Sequence, residues 1–269
     1  MAAEGARGLS QTQKVFTFKD EEESVTVTIP EVLDPEFGMY VWPCAVVLAQ
    51  FVWKRRGALR NRTVLEIGAG VSLPGVLAAR LGSRVFLSDS AQLHSLQNCV
   101  QSCRANGLEV REVRSEVTAG TKATVGSEVG ILPLSWGHMT PALLSLPPVD
   151  VILGSDVFYS PQDFESVLVT VAMLFRKNPL AQFWTTYQVR SSDWSIELLQ
   201  SLSLAVCCLL SSDWSIELLL SRWRMSCELV PLRSFDADRP ELAGSRLPGN
   251  HSVQMMLVAP DNRRRSLQR

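Results

Sequence analysis

The stretch "VLEIGAGVSLPG", Val64–Gly75, decides the fold. An apolar run, Thr63–Ile67, reads as a short buried strand. Gly68-Ala69-Gly70 interrupts it, and glycines there let the chain turn sharply and bring backbone N–H groups close to a ligand. A helix follows in "SLPGVLAARLG", with Ser72 as its N-cap, Pro74 in its first turn and Gly82 at its end. Strand, glycine turn and helix in that order open a doubly wound α/β sheet.

The same rhythm continues outward. "RVFLS" (Arg84–Ser88), "VDVILGS" (Val149–Ser155) and "AQFWTTY" (Ala181–Tyr187) read as further strands, and "SCELVPL" and "SVQMMLVA" close the chain. Helical stretches lie between them at Ala91–Gly107 and in "SPQDFESVLVTVAMLFRKN". Right-handed crossovers then place helices on both faces of a mostly parallel sheet. Upstream, "VFTF" (Val15–Phe18) and "SVTVTI" (Ser24–Ile29) flank the acidic "KDEEE" as a hairpin, and a helix begins near Pro43. The expected organisation is a disordered segment 1–14, one domain over 15–260 and a basic tail over 261–269.

Two stretches break the rhythm. Residues Glu116–Pro133, rich in Gly, Thr and Ser, read as a flexible insertion. "SSDWSIELL" occurs at Ser191–Leu199 and, unchanged, at Ser211–Leu219, so the region 191–219 is a duplication. A structural repeat recurs at a supersecondary period and diverges in sequence, and this one does neither. "TTYQVR" leads into the first copy and "SRWRMSC" leads out of the second, so the chain carries 20 extra residues between strand and strand. That pattern is consistent with a splice variant or an error in an inferred gene. In one continuous helix the two copies would face nearly opposite sides, so only one can occupy the packing niche.

Composition bounds the function. The 269 residues carry a net charge of −1, which argues against a general polyanion binder, and no direct nucleic-acid contact is expected. The start "MAAEGARGLSQTQK" lacks the apolar core of a signal peptide, and the apolar run around Leu202–Leu210 is too short to span a bilayer. Six cysteines without a CxxC pair fit a reducing compartment. Cys99 and Cys103, with His94 upstream, read as one helix face carrying small thiols rather than a metal site.

The glycine spacing narrows the ligand. Gly68, Gly70 and Gly75 follow GxGxxxxG, which departs from the GxGxxG of dinucleotide sites. Glu66 precedes the loop, and a carboxylate there disfavours a diphosphate and suits an ammonium group. The methionine portion of S-adenosylmethionine carries one. Asp89, 21 residues after Gly68 at the end of the second strand, can accept hydrogen bonds from vicinal ribose hydroxyls. Trp136, past an expected third strand, offers a large flat face for an adenine, and Trp42 lies just before the first helix. Asp156 and Tyr159 follow a buried strand at the carboxyl edge, where such sheets place their ligands. Ordinary roles stand beside these: a helix cap for Asp89 or Asp156, and core packing for the aromatics. A nicotinamide-dependent oxidoreductase is disfavoured by the glycine spacing, and a binding module that has lost catalysis is the other alternative.

Together these residues resemble the seven-strand S-adenosylmethionine-dependent protein methyltransferases of the lysine-methyltransferase-like family. "EIGAGVSLPG" is similar to their first motif, "LSDS" to their ribose acid, "SWG" to their adenine-stacking tryptophan and "DVFY" to their DxxY motif after strand four. The resemblance runs from about Phe37 to Val258, apart from the two interruptions. It implies a Rossmann-like sheet of strand order 3-2-1-4-5-7-6 with an N-terminal β-hairpin. It places Trp42, Gly68, Ala69, Gly70, Asp89, Trp136 and Ser155 at cofactor-contacting positions, and S-adenosylmethionine as the cofactor. It implies a protein substrate. Most of the family suggests lysine, and its best-matching branch suggests arginine in histone H3, chromatin or chaperone partners, and a location in nucleus and cytoplasm. Asp156 and Glu165 would orient a guanidinium, whereas Tyr159, Phe158 and Tyr187 would wall a channel for a neutral amine.

Overall fold

Alternating residues upstream of the first helix become a two-stranded antiparallel hairpin, β1 (Gln11–Lys19) and β2 (Ser24–Val32), in register from Gln11↔Val32 to Lys19↔Ser24. The computed structural model describes residues 11–32, 40–91, 93–113, 128–188, 216–246 and 252–261. The expected disordered segment 1–14 is corrected over its last four residues: Gln11–Lys14 belong to β1. Their polar side chains do not hinder backbone pairing, and Lys14 gains an ion pair with Glu31 at 3.2 Å. Residues 1–10, 114–127, 189–215 and 262–269 lie outside the described residues, and with them the first "SSDWSIELL" copy and most of the expected insertion and tail.

After the hairpin come α1 (Pro43–Lys54), a short α2 (Arg56–Leu59), β3 (Thr63–Ile67), α3 (Leu73–Arg80), β4 (Arg84–Asp89) and α4 (Leu93–Ala105). Next are β5 (Glu109–Glu112), β6 (Glu128–Pro133), a short α5 (Pro141–Ser145), β7 (Val151–Ser155), α6 (Phe164–Lys177) and β8 (Gln182–Gln188). The chain closes with α7 (Ile216–Arg222), β9 (Met225–Val230), the two-residue strands β10 (Glu241–Leu242) and β11 (Ser245–Arg246), and β12 (Val253–Pro260).

The main sheet runs β5-β6-β4-β3-β7-β8-β12-β9. Its pairs are parallel except those made by β12, which is antiparallel to both β8 and β9. Leaving out β5, this is the expected order 3-2-1-4-5-7-6. β5 adds an eighth strand at one edge; its mostly exposed "EVRE" carries no apolar run for a sequence reading to seize on. The central strand β3 is buried along its whole length, as a strand covered on both faces must be. One apolar cluster lies on the α1, α3, α4 and hairpin side, and a second lies on the α6 and α7 side.

The expected flexible insertion 116–133 is corrected at its end. Glu128–Pro133 is β6, a sheet strand with Val129, Ile131 and Leu132 buried. Its apolar residues follow a Gly- and Thr-rich run that hides them, and Gly130 is needed because the Phe86 ring of β4 occupies the place of a Cβ. Of the duplicated segment, the second copy supplies Ile216 and Leu219 to α7, both buried against the α6 side of the sheet.

Several contacts fix the hairpin to the domain, among them the Thr17 N–H, which donates to the Ala243 carbonyl at 2.9 Å. At its tip, Arg56 lies over Trp53 at 4.2 Å and pairs with Asp20 at 2.6 Å and Glu23 at 3.1 Å. Near its end, the buried Glu31 accepts the Val41 N–H at 2.8 Å. In the middle, the Asn106 amide accepts the Thr28 N–H at 2.9 Å and donates to the Thr28 and Ser102 carbonyls, each at 2.7 Å. Removing that amide leaves buried backbone groups unpaired. Asn106→Ala is expected to lower unfolding free energy by about 2–3 kcal/mol, measured by urea denaturation against the parent chain.

Candidate active site

The glycine loop leaves β3 in an alternating left-handed path: φ is +59° at Gly68, +52° at Gly70 and +62° at Ser72. The Ala69 N–H donates to the Ser88 carbonyl at 3.0 Å, and the Gly70 N–H donates to Asp89 Oδ2 at 2.8 Å. Asp89 Oδ1 accepts the Ser90 N–H at 2.7 Å. The Asp89 carboxylate thus holds the loop against the end of β4 and still has lone pairs for further donors. Ser72 does precede α3, but its side chain makes no cap hydrogen bond, and its left-handed backbone turns the chain instead.

Gly68 is glycine for two reasons. Its φ is one that side chains rarely adopt, and a Cβ there would sit 2.9 Å from the Trp136 indole and 3.2 Å from Val157. Trp136, half-buried, therefore lies directly on the loop.

Glu66 sits beneath the loop, wholly buried, rather than on an open face. Its Oε2 accepts the Gly75 N–H at 3.0 Å, and Oε1 has no partner among the described residues. A side chain at Gly75 would collide with Glu66 and Leu87, so the third glycine is there to let α3 approach the strand. Burial, reinforced by the nearby Asp89 carboxylate and opposed by the Gly75 N–H, lifts the Glu66 carboxyl from the ordinary 4.5 to about 8. Cys99 and Cys103 are buried on α4. The Cys99 thiol donates to the Gly70 carbonyl at 3.5 Å, and burial keeps both thiols from ionising. Among the described residues no three His, Cys, Asp or Glu side chains form a metal-sized group.

The facing wall comes from β7, β8 and α1. Ser155 ends β7, and Asp156 follows with φ +56°, nearly buried. Its N–H donates to the Thr186 carbonyl at 2.8 Å. Thr186 Oγ1 in turn donates to the Cys44 carbonyl at 2.9 Å, which brings the start of α1 and Trp42 to the same edge. Tyr159 stands exposed, 6.1 Å between ring centres from Trp136. Glu165 lies exposed in the first turn of α6. Phe158 and Tyr187 are not channel walls: both are buried, and Phe158 packs on Phe164 and Phe183.

The expected residues thus gather at the carboxyl edge of one sheet. Sequence reading passed over Thr186, Val157 and Glu31. Two threonines inside an apolar strand, and an acid at Glu31 in phase with Val27 and Ile29, were the available signals, because a buried polar group needs a partner. The site fits S-adenosylmethionine: Asp89 has spare acceptor capacity for ribose, and Trp136 has a half-buried face beside the loop.

Two outcomes test this geometry. Gly68→Ala is expected to weaken S-adenosylhomocysteine binding at least about tenfold through strain of about 1–3 kcal/mol, read by calorimetry. For Glu66, both folded and unfolded chains hold the proton below about pH 4.5, while only the folded chain holds it between there and about pH 8. Stability should therefore fall as pH rises through that window and level off above it. Glu66→Gln should flatten this slope in urea denaturation.

Known proteins resemble this chain over most of its length. A family model described as "Lysine methyltransferase" matches residues 21–202. A Xenopus laevis protein named histone-arginine methyltransferase METTL23 is 49% identical over 244 residues, covering 90% of this chain and 88% of that one. The Homo sapiens protein of that name is 46% identical, covering 82% and 97%. Mouse protein N-lysine methyltransferase METTL21A is 31% identical, covering 51% and 56%. Among solved structures, the T. thermophilus 16S rRNA N2 G1207 methyltransferase RsmC, in complex with AdoMet and guanosine, superimposes with a TM-score of 0.52 at 15% identity, covering 92% and 50%, a likeness of fold alone. The chain belongs to the lysine methyltransferase family and is an S-adenosylmethionine-dependent protein methyltransferase.

Proposed function

We propose that this enzyme methylates arginine in histone H3. The observation that carries the proposal is the 49% and 46% identity, over most of both chains, to proteins named histone-arginine methyltransferases. The site's chemistry supports it. Burial, then the carboxylates of Asp163, Asp89 and Asp156, push the Tyr159 phenol up, so the ring lies within the field of these acids. A guanidinium stays charged at any physiological pH and needs carboxylates to hold it.

When bound, S-adenosylmethionine would supply a methyl group from its positively charged sulfur: the target nitrogen forms the new N–C bond as the S–C bond breaks, S-adenosylhomocysteine leaves, and the nitrogen gives up one proton to water. The protein's work is alignment and exclusion of water. In this reading Gly68, Ala69 and Gly70 present backbone to the cofactor, and Asp89 holds its ribose. Trp136 and Trp42 cover its flat parts, and Ser155 borders it. Glu66 fixes the loop from below. Asp156 orients the target nitrogen, and Tyr159 walls the entrance. Nuclear and cytoplasmic location, chromatin or chaperone partners, and the absence of direct nucleic-acid contact belong to the same proposal, the last supported by a net charge of −1.

Lysine is the second reading, favoured by the family description and by the 31% identical lysine methyltransferase. Incubating the enzyme with histone H3 and labelled cofactor, followed by mass spectrometry, separates the two. Methylarginine is expected. Methyllysine would replace the proposal, and saturable cofactor binding without transfer would leave a binding module. Asp156→Asn keeps a residue that tolerates a left-handed backbone, so it should lower turnover by about 100-fold with little change in cofactor affinity.

A further inference from the structure

Trp42 is held from both sides by buried side chains of two unrelated elements. On one side, Glu31 of β2 accepts the N–H of Val41 at 2.8 Å. On the other, Thr186 of β8 donates its hydroxyl to the carbonyl of Cys44 at 2.9 Å. Trp42 between them is the extended N-cap of α1, with φ −72° and ψ 152° and no side-chain cap of its own. Its carbonyl accepts the Ala45 N–H at 2.9 Å. A third support comes from the hairpin. Lys14 pairs with Glu31 at 3.2 Å and lies 4.4 Å from the Tyr40 ring centre, and Tyr40 meets Trp42 edge-on with ring centres 5.4 Å apart.

A carboxylate this well buried is costly unless charge and hydrogen bonds are both met. Lys14 meets the first need and the Val41 N–H the second. An apolar side chain at 31 would serve the hairpin's packing equally well, as Val27 and Ile29 do two and four residues earlier. What the carboxylate adds is a directed bond to the residue before Trp42. Thr186 is likewise wholly buried among apolar neighbours, and its hydroxyl is aimed at the start of α1 while its carbonyl holds Asp156.

We propose that Glu31 and Thr186 are positioning residues that clamp Trp42 into the cofactor site, which makes the N-terminal hairpin a working part of that site. The proposal rests on Trp42 being a cofactor contact. The clamp acts by pre-ordering the indole, so that binding does not bear the cost of fixing it. Thr186 also joins the two halves of the site, since the same residue holds Trp42 on the cofactor side and Asp156 on the target side.

The test measures S-adenosylhomocysteine affinity by calorimetry in folded variants of the full chain. Thr186→Val keeps shape and removes the hydroxyl, and Glu31→Met keeps length and removes the acceptor. Each is expected to weaken binding about fivefold, the value of one buried hydrogen bond. Thr186→Ser and Glu31→Gln restore the bond and should bind within about twofold of the parent. In a Trp42→Ala background the losses should vanish, because the clamp then holds nothing. Parent-like affinity in Thr186→Val and Glu31→Met would overturn the clamp. Full losses persisting without Trp42 would do the same. Trp42→Ala binding as tightly as the parent would instead overturn Trp42 as a cofactor contact. If Thr186→Val does not fold, Glu31→Met against Glu31→Gln makes the same comparison.

Discussion

The Gly70 N–H to Asp89 carboxylate bond, 2.8 Å long, ties the loop after β3 to the end of β4. Around it the site takes shape. The bond draws the glycine loop over the sheet edge, and Gly68 then presents a bare Cα on which the Trp136 indole rests. Asp89 also accepts the next N–H along, from Ser90, and its own carbonyl accepts the Leu134 N–H at 2.7 Å. One residue thereby sets the ends of β3, β4 and β6 relative to one another. An apolar residue at 89 would leave the Gly70 amide unpaired inside the domain, and a longer acid would push the loop away.

The positions of these residues were legible in the sequence, but their bonds were not: Glu66 was expected to meet an ammonium group, and the structure buries it beneath the loop against the Gly75 N–H. Gly68, Gly70 and Glu66 stand at spacings set by one strand–turn–helix unit, and Asp89 ends the strand that follows it. Strand order beyond the first unit followed from resemblance and rested on several motifs in sequence. What stayed hidden is long-range. Thr186 meets Cys44 across 142 residues, and Asn106 meets Thr28 across 78. No periodicity encodes such pairs, and only the burial of a polar side chain hints that a partner exists. β6 was read only in part: a third strand was expected before Trp136, but a Gly- and Thr-rich approach masks where its apolar core begins, and its edge neighbour β5 carries charges.

Strain is placed where hydrogen bonds can hold it. Ser72 and Asp156 are left-handed without being glycine, each at a cost of about 1–3 kcal/mol. Both lie at the carboxyl edge of the sheet. Asp156 is pinned by the Thr186 carbonyl, and Ser72 is pinned by its N–H to the Ala69 carbonyl at 2.6 Å. The other left-handed non-glycine residues, such as Asn61 and Asp236, lie away from the glycine loop and the β7 edge. A side chain in this conformation leaves the strand at an angle no regular strand residue can take, so Asp156 is aimed by its backbone.

The burial pattern separates two tasks. Glu66, Ala69 and Thr186 are buried and Gly68, Gly70, Asp89 and Trp136 half-buried, so the loop side is set by backbone and packed neighbours. Tyr159 and Glu165 are exposed and lie on the segment from the end of β7 into α6. Rigid backbone suits a ligand that is the same in every turnover. Exposed side chains can be exchanged without disturbing the sheet, and they suit a target that differs from one relative to another.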